Sequence, residues 1–225
     1  MKAHTKRKVT FLIGFAAYFS AIWYLWDTPA VYPLKVFVVL LHEISHAMMA
    51  VATGGRIERI VLDPNQGGLC YCGGGITFLT LSAGYLGSLA WGGLLVSAGQ
   101  MKRINSRWVT GAVGLLVTGL TIAYVRPVLG FGFWFGLAFG SALVLGAARL
   151  SAALNQGILL TLGLTSCLYA ILDIKSDVLD RPELQSDAAM LADLTGIPTL
   201  VWGGLWIAVA VLASAWLFHW SYRRA

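Results

Sequence analysis

Long apolar runs separated by short polar segments make up most of this chain. Each run is close to the roughly 20 apolar residues that an α-helix needs to cross a bilayer. The runs lie at about 9–26, 33–53, 79–99, 108–125, 128–148, 156–172 and 197–218. This pattern predicts an all-α integral membrane protein, a single polytopic domain over 1–225 with six or seven transmembrane helices.

The first run begins after a basic segment and predicts an N-terminal anchor helix over 1–26. It is longer than the core of a signal peptide, which has about 7 to 15 apolar residues, so we expect the helix to be retained. Its basic residues, Lys2, Lys6, Arg7 and Lys8, favour a cytoplasmic N-terminus. We expect the protein in the plasma membrane.

The remaining chain divides by the same pattern. We expect a helix over 33–53, a Gly-rich insert over 56–80, a helical bundle over 79–172, an acidic loop over 173–196 and a last helix over 197–218.

Composition excludes two other classes of protein. Hydrophobic residues make up 58% of the chain and charged residues 12%, whereas about a quarter of the residues of a soluble domain are charged. A chain this apolar would not remain disordered in water either. The net charge of +6 comes from Lys and Arg at the ends of the runs, which indicates membrane topology rather than nucleic-acid binding.

The number of crossings depends on the run at 79–99. If all seven runs cross, Lys102, Arg103 and the pair Arg223-Arg224 lie outside the cell and the acidic segment lies inside. If 79–99 is re-entrant or shallow, six crossings place these basic residues in the cytoplasm and the acidic segment outside. The positive-inside rule favours six crossings, and both arrangements stay open on the sequence alone.

The insert at 56–80 interrupts the helical pattern with charged residues and glycines. Two short pieces, Ile57 to Leu62 and Leu69 to Cys72, are typical of strands that pair across a turn. Such a hairpin would offer an edge to which an extended peptide could add. Cys70 and Cys72 lack the spacing of common zinc sites, and we expect them to be small apolar fillers.

The second run carries His42, Glu43 and His46 half-way along its length. Ionisable side chains at this depth cost several kcal/mol unless they face a partner or a metal. Residues four apart lie on one helical face, so both imidazoles of this His-Glu-x-x-His motif reach a single Zn²⁺. A catalytic zinc site keeps one position for water, and Glu43 is placed to accept a proton as that water attacks a carbonyl.

Further motifs accompany the His-Glu-x-x-His sequence. They are Leu41–Ala47, Gly54-Gly55-Arg56, the Gly-rich stretch at 67–75, Ser82–Gly87, Ser186–Ala189 and Leu194–Pro198. With them the chain resembles the site-2 protease family of intramembrane zinc metalloproteases, in particular its small B-like branch, from about residue 35 to 205. The resemblance implies cleavage of peptide bonds in or near the membrane by one Zn²⁺ per chain, held by two His and a distant Asp.

The third zinc ligand is open on the sequence. In active members of the family the Asp commonly stands in a Leu-Asp-Gly motif, but here Leu172-Asp173 is followed by Ile174. Asp173 is the favoured ligand, because it ends an apolar helix. Asp187 is the second choice, since Ser186 and Asp187 are also typical helix caps.

Two functions are compatible with these residues. The favoured one is a membrane-embedded zinc metalloendopeptidase that cleaves a membrane-protein or peptide substrate, with Tyr85 and Asn65 as candidate hydrogen-bond donors to it. The alternative is a membrane scaffold or binding protein that retains the peptidase fold without proteolysis. Metal transport ranks last, because it needs ionisable groups along several helices and the sequence shows one such cluster. We expect the bilayer as a partner and no nucleic acid.

Overall fold

A computed structural model of the chain describes residues 3–26, 28–101, 103–181 and 185–224. Lys2 and Lys102 lie outside the described residues. The elements are α1 (Ala3–Leu25), α2 (Tyr32–Ala52), β1 (Arg56–Asp63), β2 (Gly67–Gly73), α3 (Thr77–Gln100), α4 (Ser106–Tyr124), α5 (Phe131–Arg149), α6 (Ala152–Lys175), a π-helical turn (Ser176–Asp180), α7 (Asp187–Thr195) and α8 (Thr199–Arg224).

Seven of these helices, all except α7, are long and apolar enough to cross a membrane. The insert forms a small antiparallel sheet of two strands. The predicted class, an all-α integral membrane protein with a β-hairpin after its second helix, is therefore confirmed.

Local sequence signals explain several helix ends. α2 has a proline in its first turn, where the missing N–H costs no hydrogen bond. The side chain of Ser151 accepts from Leu154 N at the start of α6, and that of Ser186 caps α7 in the same way. α7 stops at Gly196, whose φ of 72° is the left-handed conformation that favours glycine after a helix.

The direction of α1 follows from the side chains that it meets. The ring of Phe11, near its start, lies 5.6 Å from Phe218 and 6.2 Å from Tyr222, near the end of α8. Further along α1, Tyr18 donates a 3.0 Å hydrogen bond to the carbonyl oxygen of Thr161 in α6. Trp26 then contacts Tyr169, 6.0 Å away between ring centroids. α1 is therefore antiparallel to α8 and parallel to α6.

α3 has the opposite direction to α1. Its end, Gly99, lies against Leu160 near the start of α6, and its Ser88 carbonyl accepts from the Ser166 hydroxyl at 2.7 Å. α1 therefore ends and α3 begins at the same end of the bundle. The run at 79–99, which the sequence left as either crossing or re-entrant, is the regular helix α3, and α2 and α3 are both long and apolar enough to cross a membrane. The choice between six and seven crossings stays a prediction.

Close helix packing holds α3 and α6 together. A side chain added at Gly92 would meet the Gly163 carbonyl oxygen and Cys167, and one added at Gly163 would meet the Gly92 carbonyl oxygen. Such small residues let two membrane helices approach closely. The two glycines therefore set the spacing between α3 and α6.

The hairpin packs along α2. Ile60 pairs with Cys70 and Asp63 with Gly67, and the hydroxyl of Tyr32, at the start of α2, donates to the carbonyl oxygen of Pro64 in the turn at 2.7 Å. The outer edge of β1 is occupied as well, since the Arg126 N–H donates to the Ile60 carbonyl oxygen at 2.8 Å. Among the described residues, the outer edge of β2 is the one left without a strand partner.

Two local features differ from the sequence expectations. The segment 173–196, expected as an acidic loop, is mostly helical, because α6 continues through a π-helical turn and α7 buries Ala188 and Leu191 against the bundle. Cys70 and Cys72, expected as free apolar residues, form a disulfide with their Cα atoms 5.7 Å apart. Residues two apart on a strand point to the same face, which brings these thiols together.

Candidate metal centre

Three side chains from two helices converge on one point. His42 Nε2 lies 3.0 Å and His46 Nε2 3.1 Å from Asp187 Oδ2, and one ligand atom from each residue lies within 4.8 Å of the others. In a tetrahedral site with bonds of about 2.0 Å, ligand atoms are about 3.3 Å apart. The spacing of these three side chains fits a single Zn²⁺.

The hydrogen bonding of His46 requires a positive charge at this point. Its Nδ1 lies 2.7 Å from the Thr80 carbonyl oxygen, and a carbonyl only accepts, so Nδ1 carries the proton. In the neutral ring Nε2 then presents a lone pair to the lone pairs of Asp187. This contact is favourable only with a cation or an added proton between the two atoms, and the donor set is one that zinc prefers.

Gly84 leaves space beside the two imidazoles. A methyl group built on its Cα would overlap Nε2 of both His42 and His46. α3 can therefore pass this close to α2 only with glycine at position 84. The space that a side chain would fill is the space in front of the metal-binding nitrogens.

Asp173, the ligand favoured by the sequence, lies on the other side of His42. Its Oδ2 is 3.8 Å from Nδ1 of that ring, the nitrogen that points away from the cluster. The geometry therefore favours the second choice, Asp187, over Asp173. The reason is the path of the chain after α6, which folds back so that the first turn of α7 lies over α2. Asp187 in that turn reaches Nε2 of both histidines, whereas Asp173 at the end of α6 does not.

Asp187 lies outside the candidate membrane spans, and its surroundings favour its ionised form. Burial by itself raises the pKa of its carboxyl group, but His46 and His42 outweigh burial and hold this pKa well below its ordinary range. The two histidines thus favour the ionised carboxylate that a metal ligand must present.

The hairpin holds Glu43 beside this cluster. The side chain is buried, with 5% of its surface exposed, and its carboxylate accepts a hydrogen bond from the Cys70 N–H. A Cβ added at Gly68 would lie 2.6 Å from Glu43 Oε1, so β2 approaches this carboxylate without an intervening side chain. The outer edge of β2 and Glu43 therefore face one another.

A cavity of about 620 Å³ surrounds His42, His46, Asp187 and Glu43, and the hairpin, α3, α6 and α7 all line it. Tyr85 and Asn65, the two candidate substrate donors, both lie in its wall. The Tyr85 hydroxyl, however, donates to Asp177 Oδ2 at 2.6 Å, and its ring meets the His42 ring edge-on at 5.1 Å. Tyr85 is thus placed to support the His42 ring.

Sequence reasoning missed the contacts made by backbone and by glycine. The Thr80 carbonyl carries no sequence signal, and Gly84 and Gly68 stand among 26 glycines in the chain. The motifs around 82–87 and 67–75 did mark the right segments. What each glycine approaches became visible only when α2, α3 and the hairpin were placed together.

Comparison with known proteins gives one match. The model of the family described as Peptidase M50B-like matches residues 15–217, which include every residue of the cluster. No curated protein and no solved structure matches the chain. The matched region covers most of the chain, including its helical bundle, its hairpin and the His-His-Asp group, and the chain therefore belongs to the Peptidase M50B-like family.

Proposed function

We propose that this protein is a membrane-embedded zinc metalloendopeptidase, in which His42, His46 and Asp187 hold one Zn²⁺ and Glu43 is the general base. The observation that carries the proposal is the convergence of two Nε2 atoms and a carboxylate oxygen next to a buried glutamate. When bound, the metal supplies Lewis acidity to a water molecule and to the scissile carbonyl.

The protein's own groups then perform the proton transfers and the positioning. Glu43 accepts the proton of the attacking water and later delivers it to the leaving amine. The Thr80 carbonyl fixes the tautomer of His46, and Asp173 faces Nδ1 of His42 and orients that ring. Outer carboxylates and carbonyls of this kind keep histidine ligands aligned and basic.

The geometry also supports a mode of substrate binding. Because the Cys70 N–H points outward to Glu43, the alternation along β2 directs the Gly68 and Cys72 backbone groups to the same edge. An extended peptide adding to this edge would pass over Glu43 with its carbonyls free of helical hydrogen bonds. The substrate is therefore a membrane protein or peptide that unwinds beside the site.

The distribution of Lys and Arg supports an orientation in the membrane. Arg7, Arg103, Arg149, Arg223 and other basic residues lie at the end of the bundle that holds the start of α1 and the end of α8. The positive-inside rule places that end in the cytoplasm. The cluster, near the other end, then opens toward the extracytoplasmic half of the bilayer.

A comparison of wild type with Glu43→Gln tests the proposal. Both proteins, reconstituted in vesicles with a panel of single-span membrane peptides, should hold about one zinc per chain, and only wild type should generate new peptide termini. If wild type holds zinc but cleaves none of the panel, and cells with Glu43→Gln behave as wild type, the chain is a scaffold that retains the peptidase fold.

A further inference from the structure

A second cavity lies on the opposite side of α6 from the metal cluster. It has a volume of about 660 Å³ and is lined by α1, α3, α6 and α8, with no residue shared with the cavity around Glu43. Nearly all of its wall is apolar. Its lining includes Phe15, Leu164, Ile171 and Phe218.

Of the polar side chains in the middle of this groove, Tyr18 is hydrogen-bonded within the protein, and Ser214 Oγ is buried with no hydrogen-bond partner among the described residues. The Tyr18 hydroxyl donates to the Thr161 carbonyl oxygen at 3.0 Å and lies 2.7 Å from Thr165 Oγ1. The groove therefore offers a ligand mainly dispersion contacts and exclusion from water. This chemistry suits a hydrocarbon chain.

One end of the groove is strongly basic. Arg224 and Gln100 line that end, Lys8 lies 4.8 Å over the Tyr222 ring there, and Arg7 and Arg223 are exposed beside them. The Asp and Glu residues of the described chain all lie in α2, the hairpin, the C-terminal part of α6 with its π-helical turn, or α7. The mouth of the groove therefore has basic side chains with no carboxylate among its described neighbours.

The length of the groove suits an acyl chain. Along α6 it extends from Gly157 to Ile171, roughly 21 Å at 1.5 Å per residue. This length exceeds one half of a hydrocarbon core of about 30 Å, so an acyl chain of one leaflet fits.

We propose that this groove is a binding site for an anionic glycerophospholipid, with an acyl chain between α1, α6 and α8 and the phosphate at Arg223, Arg224 and Lys8. Basic pockets between transmembrane helices recognise lipid headgroups in this way. The site is independent of the proposed peptidase activity. Few residues of α1 are buried, and a lipid in this groove fills the space between α1 and the rest of the bundle.

Lipid binding to the full chain, measured by native mass spectrometry, tests this site. The probes are phosphatidylglycerol and phosphatidylcholine with identical acyl chains. Wild type should retain phosphatidylglycerol more tightly. Replacing Arg223 and Arg224 by Ala should weaken that binding by about fivefold for each arginine and weaken phosphatidylcholine binding less. Glycerol 3-phosphate, which has the charge without the chains, should not displace the lipid.

A pair of glycine variants tests the position of the acyl chain. Gly157 lines the groove and Gly204 in α8 does not, and a Cβ added at either meets no atom within 4 Å. Gly157→Leu should lower the retention of both lipids while Gly204→Leu changes neither, with thermal unfolding midpoints showing that both variants are folded. Equal retention of the two lipids by wild type, or unchanged binding by Gly157→Leu, would overturn the proposal.

Discussion

The first two helices of this protein are similarly apolar in sequence but differ in how much of each is buried. Both are apolar and about 20 residues long, yet 6% of the residues in the apolar window of α1 are buried, compared with 78% in that of α2. α2 also carries Lys35, Glu43 and His46 as buried polar residues. Apolar composition thus identified both helices as membrane segments but did not distinguish the exposed one from the central one.

The polar residues of the two helices explain their difference in burial. A helix exposed to lipid cannot hold ionisable side chains half-way along, whereas a helix enclosed by protein can pair them or bind a metal. His42 and His46 in α2 therefore predict burial as well as chemistry. The apolar centre of α1, from Val9 to Leu25, predicts neither burial nor a chemical role.

The largest effect should come from Glu43 on α2. Glu43→Gln keeps the shape of the side chain but removes the base, so we expect peptide cleavage to fall by a factor of about 10² to 10⁴. Zinc content should stay near one per chain, which distinguishes loss of the base from loss of the site. Leu12→Gln on α1, a change of comparable size at an exposed position, should leave cleavage within a few-fold of wild type. Equal losses of peptide cleavage in the two variants would contradict the difference drawn between α2 and α1.

A methyl group at position 84 should abolish metal binding as completely as loss of a ligand. Gly84→Ala places a Cβ against Nε2 of both histidines, whereas at Gly93 on the same helix an added Cβ meets no atom within 4 Å. We expect zinc, measured by atomic emission, to be lost from Gly84→Ala and retained by Gly93→Ala. Stoichiometric zinc in Gly84→Ala would show that the metal does not lie between α2 and α3.

Replacing Asp187 and replacing Asp173 should weaken zinc binding to different degrees. Asp187→Ala removes a ligand and should prevent stoichiometric zinc binding. Asp173→Ala removes a group that orients His42 and should weaken zinc affinity by about 10- to 100-fold, as measured by competition with a chelator of known affinity. If the two variants exchange these results, Asp173 is the ligand, as the sequence first suggested.

The smallest effects concern packing. Leu40 in α2 is fully buried, while Leu12 in α1 is 42% exposed. Leu40→Ala leaves a cavity and should lower the free energy of unfolding by about 2 to 5 kcal/mol. Leu12→Ala should change it by less than about 0.5 kcal/mol. Thermal unfolding of both variants in one detergent gives the difference, and similar shifts would show that α1 packs more tightly than its burial indicates.

Much of this molecule could be predicted from its sequence because its strongest signals are local. Helix length follows from apolar runs, the hairpin from alternation and glycines, and the histidine pair from a four-residue spacing. The third ligand could not be predicted, because it depends on how α7 folds back after α6. A carboxylate ending an apolar helix and one at a helix start look equally suitable until their distances from His42 are known.

The location of a bound metal tests the account most directly. Crystals of the zinc-loaded full chain, measured at the zinc absorption edge, should give one anomalous peak about 2.0 to 2.2 Å from His42 Nε2, His46 Nε2 and Asp187 Oδ2. A peak bonded to Asp173 in place of Asp187, or no peak at the two histidines, would contradict it.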